Sequence, residues 1–147
     1  MGFQVDWVPS PNFTPASQVP AAFGRRKTNE IVVGHWWGDP NSKPSYNGVV
    51  SWFKNTKSQV SAHYVVGQGK MCQMVDEDDA AWHARQANQF SIGIEFNPNP
   101  TDDDYQRIGW LVYDIRRRLG NLPLRPHNAY VNTQCPGSTD LARIDRI

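Results

Sequence analysis

The run Glu30-Ile31-Val32-Val33-Gly34-His35 constrains the fold more than any other stretch of the chain. Its successive β-branched residues predict a strand, and apolar residues on both sides of the pleat predict one covered on both faces. His35 falls at the C-terminal end of this strand, followed by Trp36 and Trp37. In open α/β sheets, sites collect at such strand ends. Gly34 beside the histidine leaves room for close approach.

The remaining elements follow from periodicity. Tyr46 to about Asn55 reads as a helix with Val49, Val50 and Phe53 on one face. Gln59–Gly67 and residues 71–75 read as a hairpin about the turn Gly67-Gln68-Gly69-Lys70. Ser91–Phe96 is a further strand, with Ile92, Ile94 and Phe96 on one face and Gly93 and Glu95 on the other. Asp102–Leu119 is the strongest helix. Thr101 offers an N-cap, three aspartates open it, Arg116, Arg117 and Arg118 close it, and Gly120 ends it. Tyr105, Ile108, Leu111, Val112, Ile115 and Leu119 form its inward stripe. The arginines read as a solvated helix end and Asp76–Asp79 as a solvated loop. A last helix is expected from about Thr139, with Leu141 and Ile144 facing inward. Residues 1–28 read as an extended arm, with Pro9-Ser10-Pro11-Asn12-Phe13 laid against one globular domain of residues 29–147. A chain of 147 residues has room for one such domain and not for two.

A net charge of +1 gives no electrostatic case for nucleic acid or an anionic membrane as partner. No apolar run approaches a membrane span. The start Met1-Gly2-Phe3-Gln4-Val5-Asp6-Trp7 lacks the basic and apolar regions of a signal peptide. The expectation is a chain made in the cytoplasm that acts outside only after release, or as part of a longer chain. Two cysteines, Cys72 and Cys135, do not make a disulfide scaffold. Cys72 lies in a strand-like run and reads as a small buried residue.

Cys135 differs. It shares the loop Arg125-Pro126-His127 to Cys135-Pro136-Gly137 with His127, and imidazole and thiolate are the ligand types zinc prefers. Two ligands do not close a site, and His35 at its strand end is the candidate third. Three protein ligands and an open position are the arrangement of catalytic zinc. Blue copper uses two histidines and a cysteine as well, but no histidine follows Cys135 at the spacing that centre needs. Glu95 sits mid-strand among apolar residues. It is either a surface carboxylate on a half-exposed sheet or a general base, with Gly93 leaving space above the sheet beside it. His63 could be a ligand, a group supporting the ligands from behind, or a core histidine; its place in mid-strand rather than at a mouth favours the second. Trp82 and His83 either wall a polar groove or simply pack.

Taken together, these stretches resemble the zinc-dependent N-acetylmuramoyl-L-alanine amidases, the family of phage lysozyme-type amidases, bacterial autolysins and peptidoglycan recognition proteins. The resemblance runs from about Pro9 to Leu141. It rests on Pro9–Phe13, Ile31–His35, Val60–Val66, Ala81-Trp82-His83-Ala84, Ser91–Glu95 and Arg125–Gly137. It implies an α/β fold, a central mixed β-sheet flanked by helices, with zinc at one edge of a groove. It implies His35, His127 and Cys135 as zinc ligands and Glu95 as general base. Thr133 stands where many members have lysine, and members of the recognition-protein branch that keep activity have threonine; its implied role is to hydrogen-bond the oxyanion. A tyrosine that phage lysozyme-type members place before the His63 position is Ala62 here, so its role passes to Glu95. Trp36, His63, Trp82, His83 and Arg85 are the expected substrate contacts. The implied partner is peptidoglycan, met by a monomer of the phage endolysin or autolysin type. Two rivals stand beside this reading. One is a peptidoglycan-binding module without catalysis. The other is a cysteine peptidase with Cys135 as nucleophile and His127 as base.

Overall fold

The structure, a computed structural model, describes residues 2–38, 45–137 and 139–146. Among these residues six strands form one sheet, in the order β1 (Asp6–Trp7), β5 (Lys70–Gln73), β4 (Tyr64–Gly67), β7 (Ser91–Phe96), β3 (Ile31–Trp36), β8 (Leu124–Pro126). Only the β4–β5 hairpin pairs antiparallel; every other pairing is parallel. The sheet is therefore mixed, and β3 and β7 at its centre read as apolar runs because both faces are covered. A small antiparallel pair joins β2 (Phe13–Thr14) to β6 (Ala80–Ala81).

One face of the sheet carries Val32, Tyr64, Val66, Ile92, Ile94 and Phe96. These pack on Tyr105, Ile108, Leu111, Val112 and Ile115 of α3 (Asp102–Leu119) and on Ile144 of α4 (Leu141–Asp145). Helix α3 begins and ends as its sequence predicts. Thr101 and Asp104 form a reciprocal capping box, and Gly120 follows the last turn. Leu119, the last residue of the helix, departs from the expected stripe and is 38% exposed. Arg118 also departs from expectation. It pairs with Glu77 at 2.7 Å and with Asp114, so the acidic loop is tied to the helix rather than freely solvated.

The opposite face carries Val65, Cys72 and Met74, packed on Tyr46, Val49 and Phe53 of α2 (Tyr46–Phe53). The strand expected from Gln59 forms only from Tyr64. Gln59 adopts a left-handed backbone, and Ser61 N–H bonds the carbonyl of Trp82 outside the main sheet. The arm is not extended throughout. Ala16–Gln18 form a 3-10 turn and Val19–Phe23 form α1, started by Pro20 near its N-terminus and anchored by fully buried Val19. The Pro9–Phe13 stretch is pinned by a polar knot. Asn12 Nδ2 donates to the carbonyls of Phe53, Asn55 and Val60, and Ser61 Oγ donates to the Asn12 carbonyl. That knot fixes the loop after α2 against the arm.

Candidate metal centre and groove

Strands β3, β7 and β8 run parallel, so their C-terminal ends share one edge. In register, His35 lies opposite Glu95, and Gly34 lies opposite Pro126. His127 is thus the first residue past the end of β8, in a single 3-10 turn His127–Ala129. The loop that follows returns Cys135 to the same place. Asn128 N–H bonds the Cys135 carbonyl, and Trp36 N–H points at Cys135 Sγ, 3.2 Å away. Gly137 lets the loop close over Trp36: a Cβ there would lie 2.3 Å from the indole, and its φ of +62° suits glycine.

The outcome is a cluster. One donor atom from each of His35, His127 and Cys135 lies within 4.8 Å of the others. His35 Nδ1 sits 3.9 Å from Cys135 Sγ, and the two imidazoles are 4.2 Å apart between centroids. Donors held at about 2.0–2.3 Å from a tetrahedral zinc ion are spaced on this scale. His127 Nδ1 is buried without a hydrogen-bond partner among the described residues, which is costly unless it binds something. Both cysteines are free, so the Cys135 sulfur is available as a ligand.

The electrostatics favour ligand forms on the histidines. Burial, and then the neighbouring His127, hold the His35 pKa well below the usual imidazole value; burial lowers His127 as well. Both stay neutral, as metal ligands must. Burial and the Glu95 carboxylate push the Cys135 thiol up to about 12. Burial raises Glu95 well above the carboxylate range, and its Oε2 has no partner among the described residues. A divalent cation acts against both of the last two shifts.

A cavity of about 320 Å³ opens over this cluster. Its walls include His35, Trp36, Trp82, His83, Glu95, His127, Thr133 and Cys135. Thr133 Oγ1 accepts the Cys135 N–H at 3.2 Å, which leaves its own hydrogen free to donate. Trp82 both packs and lines the wall, its indole N–H bonding Thr14 Oγ1. Two expected substrate contacts lie elsewhere. His63 is fully buried; Nδ1 accepts Gly93 N–H and Nε2 pairs with the Asp79 carbonyl. Its position before β4 turns it into the core, so it supports the sheet and does not face the groove. Arg85 opens a neighbouring hollow shared with Trp82, His83 and Val131. The space above Gly93 is not open either: a Cβ there would meet the His83 ring at 2.6 Å. Trp37, Val49, Trp52, Phe53 and Val60 add an apolar wall that the sequence does not mark as part of a groove. Trp52, 53% exposed beside the buried stripe of α2, was the available signal.

The chain is similar to known proteins of one family. The family model described as N-acetylmuramoyl-L-alanine amidase matches residues 24–138. N-acetylmuramoyl-L-alanine amidase A of Achromobacter lyticus is 36% identical over 92 residues, 61% of this chain and 49% of that protein. The chain therefore spans about half the length of that relative. Among solved structures, a selenomethionine derivative of AmpD superposes with a TM-score of 0.79 at 22% identity, covering 97% of this chain and 93% of that one. The endolysin amidase LysCS of Clostridium intestinale URNW gives 0.76 at 18% identity, covering 99% and 95%. These two share the mixed sheet with flanking helices. On the family match across most of its length, this chain belongs to the N-acetylmuramoyl-L-alanine amidase family.

Proposed function

We propose that the chain is a zinc-dependent N-acetylmuramoyl-L-alanine amidase. It would cut the amide between the lactyl group of N-acetylmuramic acid and the L-alanine of the peptidoglycan stem. One observation carries the reading: three donors of zinc-preferring type converge beside a carboxylate oxygen that has no partner among the described residues. His35, His127 and Cys135 would hold the ion. When bound, zinc supplies Lewis-acid polarisation of the carbonyl and acidification of water. Glu95, on the neighbouring strand in register with His35, takes a proton from water and returns it to the leaving amine. The Thr133 hydroxyl donates to the carbonyl oxygen as charge builds there. Trp36 and Trp82 give the glycan and stem flat apolar walls. An endolysin-type lytic role goes with this reading.

The test is digestion of purified cell walls, followed by turbidity and by mass spectrometry of the products. The expected products are a free lactyl carboxyl and a stem peptide with a new L-alanine amino group. Chelator should abolish clearing and added zinc restore it. Clearing that survives chelator but stops on thiol alkylation would overturn the reading in favour of a cysteine peptidase. Walls bound but left intact would reduce the chain to a binding module.

A further inference from the structure

Behind the proposed ligands lies a hydrogen-bonded chain that the reaction does not itself use. Ser91, Gly93 and Glu95 share one face of β7, the face that carries the groove. Ser91 is fully buried, and its Oγ lies 2.6 Å from the carbonyl of Ala87. That carbonyl can only accept, so the single hydroxyl hydrogen of Ser91 is spent there. His83 Nε2 lies 3.0 Å from the same Oγ. Nε2 must therefore carry the hydrogen and donate it. A neutral His83 then presents a lone pair at Nδ1, and Nδ1 lies 2.8 Å from His35 Nε2. His35 in turn must donate from Nε2. Its remaining lone pair is Nδ1, the atom that faces Cys135 Sγ.

We propose that Ser91 and His83 are positioning residues for the metal: through Ala87 they lock His35 in the tautomer whose Nδ1 is ready to bind zinc. Gly93 is part of the device, because its lack of a side chain is what lets His83 lie across the strand. Metal-binding histidines are commonly oriented by the partner of the other ring nitrogen, and losing that partner weakens binding about 10–100-fold. Here the partner is a second histidine, which could face either way. The serine decides which.

The inference rests on the zinc reading, and the experiment separates the two. Zinc affinity is measured by chelator competition on the wild type, Ser91→Ala, His83→Leu and His83→Gln. Ser91→Ala and His83→Leu should each weaken zinc about 10–100-fold. His83→Gln, whose amide oxygen can still accept from His35 Nε2–H, should recover most of that loss. In parallel, imidazole nitrogen NMR of the metal-free wild type should show His35 protonated at Nε2. Ser91→Ala should shift it toward a mixture of tautomers. A His35 protonated at Nδ1 in the wild type overturns the proposal even if no variant folds. Zinc affinity in Ser91→Ala within about twofold of wild type, against the loss expected for such a partner, overturns it too. A wild type that binds no zinc would sink the metal reading and this inference together.

Discussion

Gly93→Ala tests how tightly the groove is built. The added Cβ would stand 2.6 Å from His83 Cγ and Nδ1 and 2.9 Å from Cδ2. Carbon atoms in good contact lie about 3.5–4.0 Å apart, so the ring must recede by roughly 1 Å. It can recede only toward the groove, away from its partners: its Nδ1 is engaged by His35 at 2.8 Å and its Nε2 by Ser91 at 3.0 Å. A retreat of that size stretches one of these past hydrogen-bond range. Overpacking costs about 1–3 kcal/mol, and the lost hydrogen bond about 1 kcal/mol more. For a domain of this size that is a fall in Tm of roughly 4–16 °C, at about 2–4 °C per kcal/mol. Backbone strain contributes nothing, since alanine fits an extended strand. The assay is calorimetric melting in chelator of Gly93→Ala, His83→Ala and the double variant. Removing the ring removes the clash, so the double variant should be less destabilised than the sum by at least about 1 kcal/mol. Additive losses, or an unchanged Tm in Gly93→Ala, would refute the claim that His83 is wedged on this glycine.

Cys135→Ser should leave the protein folded but purify with little zinc by elemental analysis; full occupancy would remove Cys135 from the ligand set. Glu95→Gln should lower turnover at least ~100-fold, as for a positioned general base, with zinc content unchanged. Because burial raises the Glu95 pKa, the metal-free protein at neutral pH should melt higher with glutamine there; a lower melt would mean the carboxylate has a compensating partner. His63 contributes in the opposite sense. Burial lowers its pKa to about 3, so its contribution to stability is complete above the unfolded value of 6.5 and is lost as pH falls toward 3. Between pH 7 and pH 5 that loss is about 2 kcal/mol. Urea unfolding of wild type against His63→Gln should show a shallower pH dependence in the variant; parallel curves would exclude His63 as the cause.

What the sequence made legible is what local rules govern. The capping signals of α3 lie within a turn of its ends, so its bounds could be read residue by residue. Alternation along β7 assigned Glu95 to the face opposite Ile92, Ile94 and Phe96, and the register with His35 then places it at the site. Ligand chemistry within one loop picks out His127 and Cys135, the strand-end position adds His35, and the fold brings the three together from separate elements. The relay behind them was hidden for the converse reason. Ser91 reads as an ordinary first residue of a strand, and nothing local says that His83 will cross that strand eight residues later in the chain. Gly93 reads from the sequence as open space, and the fold fills that space with the His83 ring. For His63 the resemblance implies a groove contact and its mid-strand place a supporting role, but alternation gives a side and not a depth, and the ring is fully buried. Glu77 and Arg118, 41 residues apart, looked like two solvated ends until the fold brought them together.

The same polar groups also weigh against Cys135 as a nucleophile. A cysteine peptidase needs a thiolate beside an imidazolium, that is, a thiol shifted down and a histidine shifted up. Here burial and Glu95 push the thiol up to about 12, and burial moves His127 down, so both shifts oppose the ion pair. A divalent cation meets the opposite situation. The imidazoles are already in their neutral, ligating form, and the ion's own charge drives the thiol to give up its proton. Glu95 gains from the same charge without being a ligand, since a nearby cation favours the ionised base that the reaction requires. The surroundings that disable one chemistry therefore prepare the other. The direction of the Cys135 shift on adding zinc, followed by thiolate absorbance in the ultraviolet, distinguishes them: a thiolate that forms at neutral pH only with the metal fits the amidase, and one present without it does not.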